Sequence, residues 1–266
     1  MSALSRLKLI SKNLLPPIVV EAVRTIRGTR EKYTTVDPHS AAMDSFYGSL
    51  VPPNSLCFDI GANIGNRIAP LRRLGLRVIA LEPQPKCYSL LQASFGADHN
   101  VTLVNKAAGS APGKAPMMVS DMHVLSTLSQ SFIDATSKSG RFEQITWGKT
   151  ITVEIVTLDA LIAQYGVPHF IKIDVEGFEF EVVRGLSRPI NLISLEWTPE
   201  LTDTLIACIE HLGKLGPISC NLSWGESMRL ARSKWMDKDR LVSTLNELRD
   251  ENYLFGDVYI RSTIVS

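Results

Sequence analysis

The chain has 266 residues, 45% of them hydrophobic and 21% charged, enough to bury a core as one large domain or one domain with an appendage. Its formal net charge of +1 offers no global field to a polyanion, so no nucleic-acid partner is expected. No apolar run reaches the roughly 18 residues of a membrane span, and the scattered Cys57, Cys87, Cys208 and Cys220, without C-x-x-C spacing, read as buried thiols of a cytoplasmic protein.

The first 33 residues, MSALSRLKLISKNLLPPIVVEAVRTIRGTREKY, hold seven Lys and Arg against two Glu. They lack a continuous apolar h-region and a small-residue cleavage site, so they do not read as a signal peptide. Two short amphipathic helices hinged at Pro16 and Pro17 are expected instead, within a helical extension over residues 1–50. Packing on the main domain is their simplest role. Peripheral membrane contact through the basic helices, or a lid over an active site, are the alternatives.

From Leu56 onward apolar runs alternate with helical patterns. SLCFDIG, RVIALEP, VTLVNKAAG, HFIKIDVEG and NLISLEW read as strands; NRIAPLRRLG, QPKCYSLLQASFGA and FEFEVVRGL read as the helices between them. This alternation predicts an α/β, doubly wound, mostly parallel sheet. A long insertion from Lys114 to Ile162 has strand-like ends and a middle rich in Ser, Thr and Gly, the composition of a functional loop. In the tail, PELTDTLIACIEHLGKLG and KDRLVSTLNELRDEN read as helices, and ISCNLSW, SMRLA and GDVYIRS as strands.

DIGANIGN, Asp59 to Asn66, follows a strand and opens a helix. Glycines there permit a tight turn and close approach of a ligand to free backbone N–H groups. A dinucleotide fold wants G-x-G-x-x-G; here Gly61 and Gly65 flank Asn63, out of register for a pyrophosphate turn. This spacing, and the lack of a Tyr-x-x-x-Lys, disfavour an NAD-dependent oxidoreductase. Asp59 before the first glycine and Glu82 at the end of the next strand suit a ligand with an ammonium group and a ribose diol. S-adenosyl-L-methionine has both and no phosphate. The plainer reading is a structural turn with a solvated Glu at a strand end, and a non-catalytic binding protein of this fold is the rival from another class.

LCFDIGANIGN, ALEPQP, VNKAAG, VEIVTLDAL, FIKIDVEGFEFEVVRG, ISLEW and GDVYI, in this order, resemble the FkbM family of S-adenosylmethionine-dependent methyltransferases. The resemblance implies a Rossmann-like, seven-stranded class I methyltransferase domain over residues 51–266. It also implies methylation of a hydroxyl on a sugar, glycan or natural-product acceptor. Carried over by position, Asp59, Gly61, Asn63, Gly65 and Glu82 line the cofactor, and Asn105, closing the third strand, joins that set. Ser126 and Thr127 match loosely a serine-rich stretch that the family often has.

The acids of FIKIDVEGFEFE separate by spacing. Lys172 and Asp174 alternate on one strand face, with Asp174 at the carboxyl end, where open α/β sheets bind ligands. Glu179 and Glu181 fall on the next helix, two apart, and read as ordinary helix carboxylates, one near the N-terminus and one solvated or paired with Arg184. In the order that the resemblance implies, the first, fourth and fifth strands are neighbours, so Asp59, Asp174 and Glu196 should meet in one crevice with Lys172 neutralising them. Methyl transfer to a hydroxyl gains from a base; the candidates are Asp174, Glu176 and His123, the last in the insertion. No metal is expected, because Lys172 opposes a cation and no D-D or D-N pair follows Asp174. Trp147, Trp197 and Trp224 suit either sugar stacking or core packing.

Overall fold

In the computed structural model the described residues are 37–120, 126–130, 132–134, 148–251 and 254–263. The basic N-terminal stretch with Pro16 and Pro17, His123 and Trp147 lie outside them. The chain enters through helix α1 (Pro38–Leu50), whose Asp37 caps the Ser40 N–H. Strand β1 (Leu56–Ile60), helix α2 (Ile68–Arg73), strand β2 (Arg77–Leu81), helix α3 (Pro85–Phe95) and strand β3 (Val101–Val104) follow. Strands β4 (Ala107–Ala108), β5 (Gly113–Val119) and β6 (Lys149–Val156) then make a small separate sheet, ordered β4-β6-β5. Helix α4 (Leu158–Tyr165), strand β7 (Phe170–Ile173), helix α5 (Glu179–Arg184) and strand β8 (Leu192–Trp197) return to the main sheet. It is completed by helix α6 (Thr202–Leu215), strand β9 (Ile218–Trp224), helix α7 (Lys238–Glu247) and strand β10 (Gly256–Ser262).

The main sheet has seven strands in the order β3-β2-β1-β7-β8-β10-β9, and β10 alone runs against its neighbours. This is the doubly wound, Rossmann-like α/β architecture that the alternation of runs predicts. β1, β7 and β8 are adjacent.

Register places the polar residues. Cys57 pairs with Phe170, and Phe170 with Leu192; one pleat on, Asp59 pairs with Lys172, and Lys172 with Ser194. Glu196 lies opposite Asp257. Paired residues share a face, so the face under α1 and α2 passes from an apolar row packed on Phe46, Tyr47 and Leu71 to a polar row, and then to acids at the strand carboxyl ends. The opposite face stays apolar throughout, with Phe58, Ile60, Ile171, Ile173, Ile193 and Leu195 in the larger core cluster. Each fully buried Ile, Leu or Phe contributes about 1.5–3 kcal/mol; the polar row forgoes that gain on one face, at one end only.

Three segments depart from the sequence reading. VTLVNKAAG is not one strand: after Val104 the chain leaves the main sheet and Ala107–Ala108 pair with β6, while Asn105 turns its amide back to the carbonyls of Glu82 and Pro83 (2.7 and 3.3 Å). The end of the insertion is helical, because Thr157 caps the Ala160 N–H and starts α4. SMRLA is not a strand either; Met228 takes a left-handed φ of 48°, and the Asn221 side chain holds the returning chain at Arg232. All four cysteines are buried and unpaired, and no described helix is long and apolar enough to cross a membrane.

Candidate active site

Two cavities open at the carboxyl ends of β1, β2, β7 and β8, and they share Gly61, Asn63, Asp174 and Glu176. The glycine loop divides them. Gly61 has φ +85° and Asn63 φ +50°; a Cβ on Gly61 would overlap the Asp174 carbonyl oxygen, so only glycine lets β1 and β7 close together there. Gly65, at φ +96°, makes room for the Phe95 ring of α3 and lines neither cavity.

The first cavity is lined by the apolar Leu81, Ala107, Met117, Leu128 and Phe178, with Glu82 and Ser126 among its polar residues. Glu82 is 2% exposed. Its two oxygens accept the N–H groups of Asn63 and Gln84, both at 2.8 Å, which pins the glycine loop to the next turn. Burial pushes its pKa up to about 7 against those hydrogen bonds. The carboxylate keeps acceptor capacity beyond those bonds, so a largely apolar slot that includes a carboxylate acceptor fits an adenosine with its ribose diol. Asn105 stands behind this slot and holds the Glu82 turn through its backbone.

The second cavity is acidic. Asp59, Asp174, Glu176 and Glu196 line it, and so do Glu226 and Asp257, against Arg67 and Lys172. Lys172 is 2% exposed; its Nζ donates to Asp257 at 2.9 Å and to Asp174 at 3.2 Å. Burial alone would lower its pKa, but these two carboxylates hold it well above the ordinary lysine value. Burial would likewise raise Asp174, and Lys172 overrides that and keeps it below the usual carboxylate range. Glu176 and Glu196 go the other way, well above it, through burial and then the neighbouring carboxylates. Asp59 is pushed up to about 6 by burial, moderated by Lys172, and its Oδ2 is buried with no hydrogen-bond partner among the described residues. Arg67 forms a two-pronged pair with Glu226 at 2.8 and 3.0 Å, tying the loop before α2 to the loop after β9.

Asp59, Asp174 and Glu196 thus meet in one crevice with Lys172 among them, as the strand order implied by the resemblance leads one to expect. Glu179 stands in the first turn of α5 as expected but is more than an ordinary helix carboxylate: it is 2% exposed, and its Oε1 accepts the N–H groups of Val175 and Gly177 (3.2 and 3.1 Å). It shapes the turn that presents Glu176, itself at a left-handed φ of 54°, a conformation held at a cost and common at functional sites. Thr127 supports the same turn from the insertion, donating to the Glu176 carbonyl at 2.6 Å. Glu181 pairs with Arg184 as expected. Trp197 is fully buried, edge-on to Trp224, so Trp197 serves the core. Arg67, Glu226 and Asp257 escape the sequence reading; only Asp257, an acid in the apolar run of GDVYI, carries a local signal.

Asp59, Glu82 and Glu179 titrate higher in the fold, about 6, 7 and 7, than in an open chain. Their protonated forms stabilise the fold fully below their open-chain pKa values, and that contribution is lost as pH rises through the folded values. The melting temperature of the ligand-free chain should thus fall between about pH 5 and pH 8. A melt that is flat or rises over that range contradicts these assignments.

The model of the Methyltransferase FkbM domain matches residues 59–215, more than half of the chain. No curated protein matches in sequence. Among solved structures, precorrin-6y C5,15-methyltransferase from Geobacter metallireducens is 14% identical with a TM-score of 0.45, over 88% of this chain and 94% of that one. The O-methyltransferase from Bacillus cereus, solved in complex with SAH, is 14% identical with a TM-score of 0.41, over 96% of each chain. With its matched segment running from Asp59 through the glycine loop, β7 and α6, the chain belongs to the FkbM methyltransferase family, S-adenosylmethionine-dependent enzymes.

Proposed function

We propose that the chain transfers a methyl group to a hydroxyl oxygen of a sugar, glycan or natural-product acceptor. One observation carries this reading: the slot that fits an adenosine and the acidic crevice share Gly61, Asn63, Asp174 and Glu176. A ligand in the slot and an acceptor in the crevice would meet at two carboxyl groups. S-adenosylmethionine, when bound, supplies a methyl carbon activated by its sulfonium. The chain's own part is to align the acceptor oxygen with that carbon and to take the hydroxyl proton as the oxygen attacks. Asp174 or Glu176 is placed to accept it, and His123 in the insertion is the third candidate. Among the described residues lining the crevice there is no thiol and no imidazole, so carboxyl groups are the bases at hand. The basic N-terminal stretch supports contact with a membrane surface from the cytoplasmic side, and the near-neutral charge supports a small-molecule or glycan acceptor over a nucleic acid.

The test is a comparison of glycans, glycolipids and secondary metabolites from cells with and without the protein. The reading expects one species to lose a single methyl mass, borne on oxygen, when the protein is absent. A methyl lost from nitrogen or carbon would overturn it.

A further inference from the structure

By formal count, the carboxyl groups of the acidic crevice outnumber the positive charges that its protein partners and its cofactor bring. Six carboxyl groups face two cationic side chains, a formal excess of four negative charges. Glu226 is matched by Arg67, and Asp257 by Lys172. S-adenosylmethionine, with a sulfonium, an ammonium and a carboxylate, brings one net positive charge. Burying the remainder without a counter-ion is costly.

From this geometry we infer that Asp174, Glu176 and Glu196 form a binding site for a hard divalent cation. One carboxylate oxygen from each lies within 4.8 Å of the other two. Oxygens on opposite sides of an ion at about 2.3–2.4 Å stand about 4.7 Å apart, and cis oxygens stand closer. Three oxygens that close can converge on one ion with only a small adjustment of their side chains. An all-oxygen set selects Mg²⁺, Mn²⁺ or Ca²⁺ over thiophilic metals. The second, independent observation is Asp59: 2% exposed and lining the same cavity, its Oδ2 has no hydrogen-bond partner among the described residues. A water on the ion supplies the donor that this oxygen lacks.

Read along the sequence, Lys172 stands against a cation. In the fold its Nζ is engaged by Asp257 at 2.9 Å and by only one oxygen of Asp174, Oδ2, at 3.2 Å. Asp174, Glu176 and Glu196 all line the crevice, with Asp174 and Glu196 already within hydrogen-bond reach of each other. The cluster also has no sequence motif, because Glu196 arrives from β8 and Glu176 from a left-handed turn. If the acceptor is a hydroxyl, an ion here would ligate its oxygen and lower its pKa. That role rests on the O-methylation reading; the binding of the ion does not.

The test is Mn²⁺ titration of the full chain followed by electron paramagnetic resonance, with S-adenosylhomocysteine present. One Mn²⁺ per chain is expected, with a Kd of about 1 mM or tighter. Glu196→Gln and Glu176→Gln should each weaken it by about tenfold or more. Both variants remove excess negative charge and should melt no lower than the parent. Glu181→Gln, paired with Arg184 outside the crevice, should bind Mn²⁺ as the parent does. No bound Mn²⁺ at about 10 mM, above the weakest protein sites, overturns the inference, and so does binding that survives both crevice substitutions. Either failure leaves the O-methylation reading intact, and a methyl group found on nitrogen or carbon would leave the cation site intact.

Discussion

Replacing Lys172 with methionine is expected to cost the fold about 3–5 kcal/mol, the usual penalty for removing one partner of a buried ion pair. Methionine fills nearly the same volume, so the loss is electrostatic. Asp257 and Asp174 lose the ammonium that they share at 2.9 and 3.2 Å, and Asp257, with a side chain 10% exposed, keeps an unmatched charge. Chemical denaturation of parent and variant reads the effect directly. Adding Asp257→Asn to the Lys172→Met background should recover part of the loss, since it removes the stranded charge. Cofactor affinity should change less than stability, because Lys172 sits one pleat behind Asp174 on β7. A variant that melts unchanged but loses turnover would show instead that Lys172 acts in the reaction and not in holding the sheet.

Gly61→Ala should be nearly as damaging, by about 2–4 kcal/mol, and it should act on the ligand as well as on the fold. The added methyl meets the Asp174 carbonyl oxygen, a backbone atom that cannot swing away, and the backbone at φ +85° resists any L side chain. The Gly61 N–H also bonds the Leu81 carbonyl at 3.0 Å, so relief of the overlap would pull β1 away from either β2 or β7. S-adenosylhomocysteine affinity, read by calorimetry on the folded fraction, should fall by more than tenfold. Gly75→Ala is the control: that glycine also has a positive φ, +77°, but a Cβ there meets nothing within 4 Å. If both variants lose affinity equally, the close approach of the glycine loop to β7 is not what shapes the site.

Strands β1, β2, β7 and β8 were legible because each is a short apolar run with an acid at or just past its carboxyl end, and alternation with helices determines that they lie parallel. The acids at strand ends were legible by the same logic, and the strand order that the resemblance implies is what groups Asp59, Asp174 and Glu196. What local sequence cannot carry is the partner brought from far along the chain. Asp257 reaches Lys172 across 85 positions and Glu226 reaches Arg67 across 159. Glu179 misled for a related reason. At the first turn of a helix a glutamate is an ordinary residue, and only the tight turn at Glu176 and Gly177, both with positive φ, folds two backbone N–H groups back onto it. The split of VTLVNKAAG depends on β6, some 50 residues later, offering Ala107 and Ala108 an edge to pair with.

The most direct measurement of the central claim uses S-adenosylmethionine carrying a ¹³C methyl group, the purified chain, and an extract of neutral sugars and natural products. Carbon NMR of the product then reports the atom that received the label. The account predicts a single new methoxy resonance, formed together with S-adenosylhomocysteine and lost in Asp174→Asn or Glu176→Gln. A label that appears in the N-methyl or C-methyl region would contradict it.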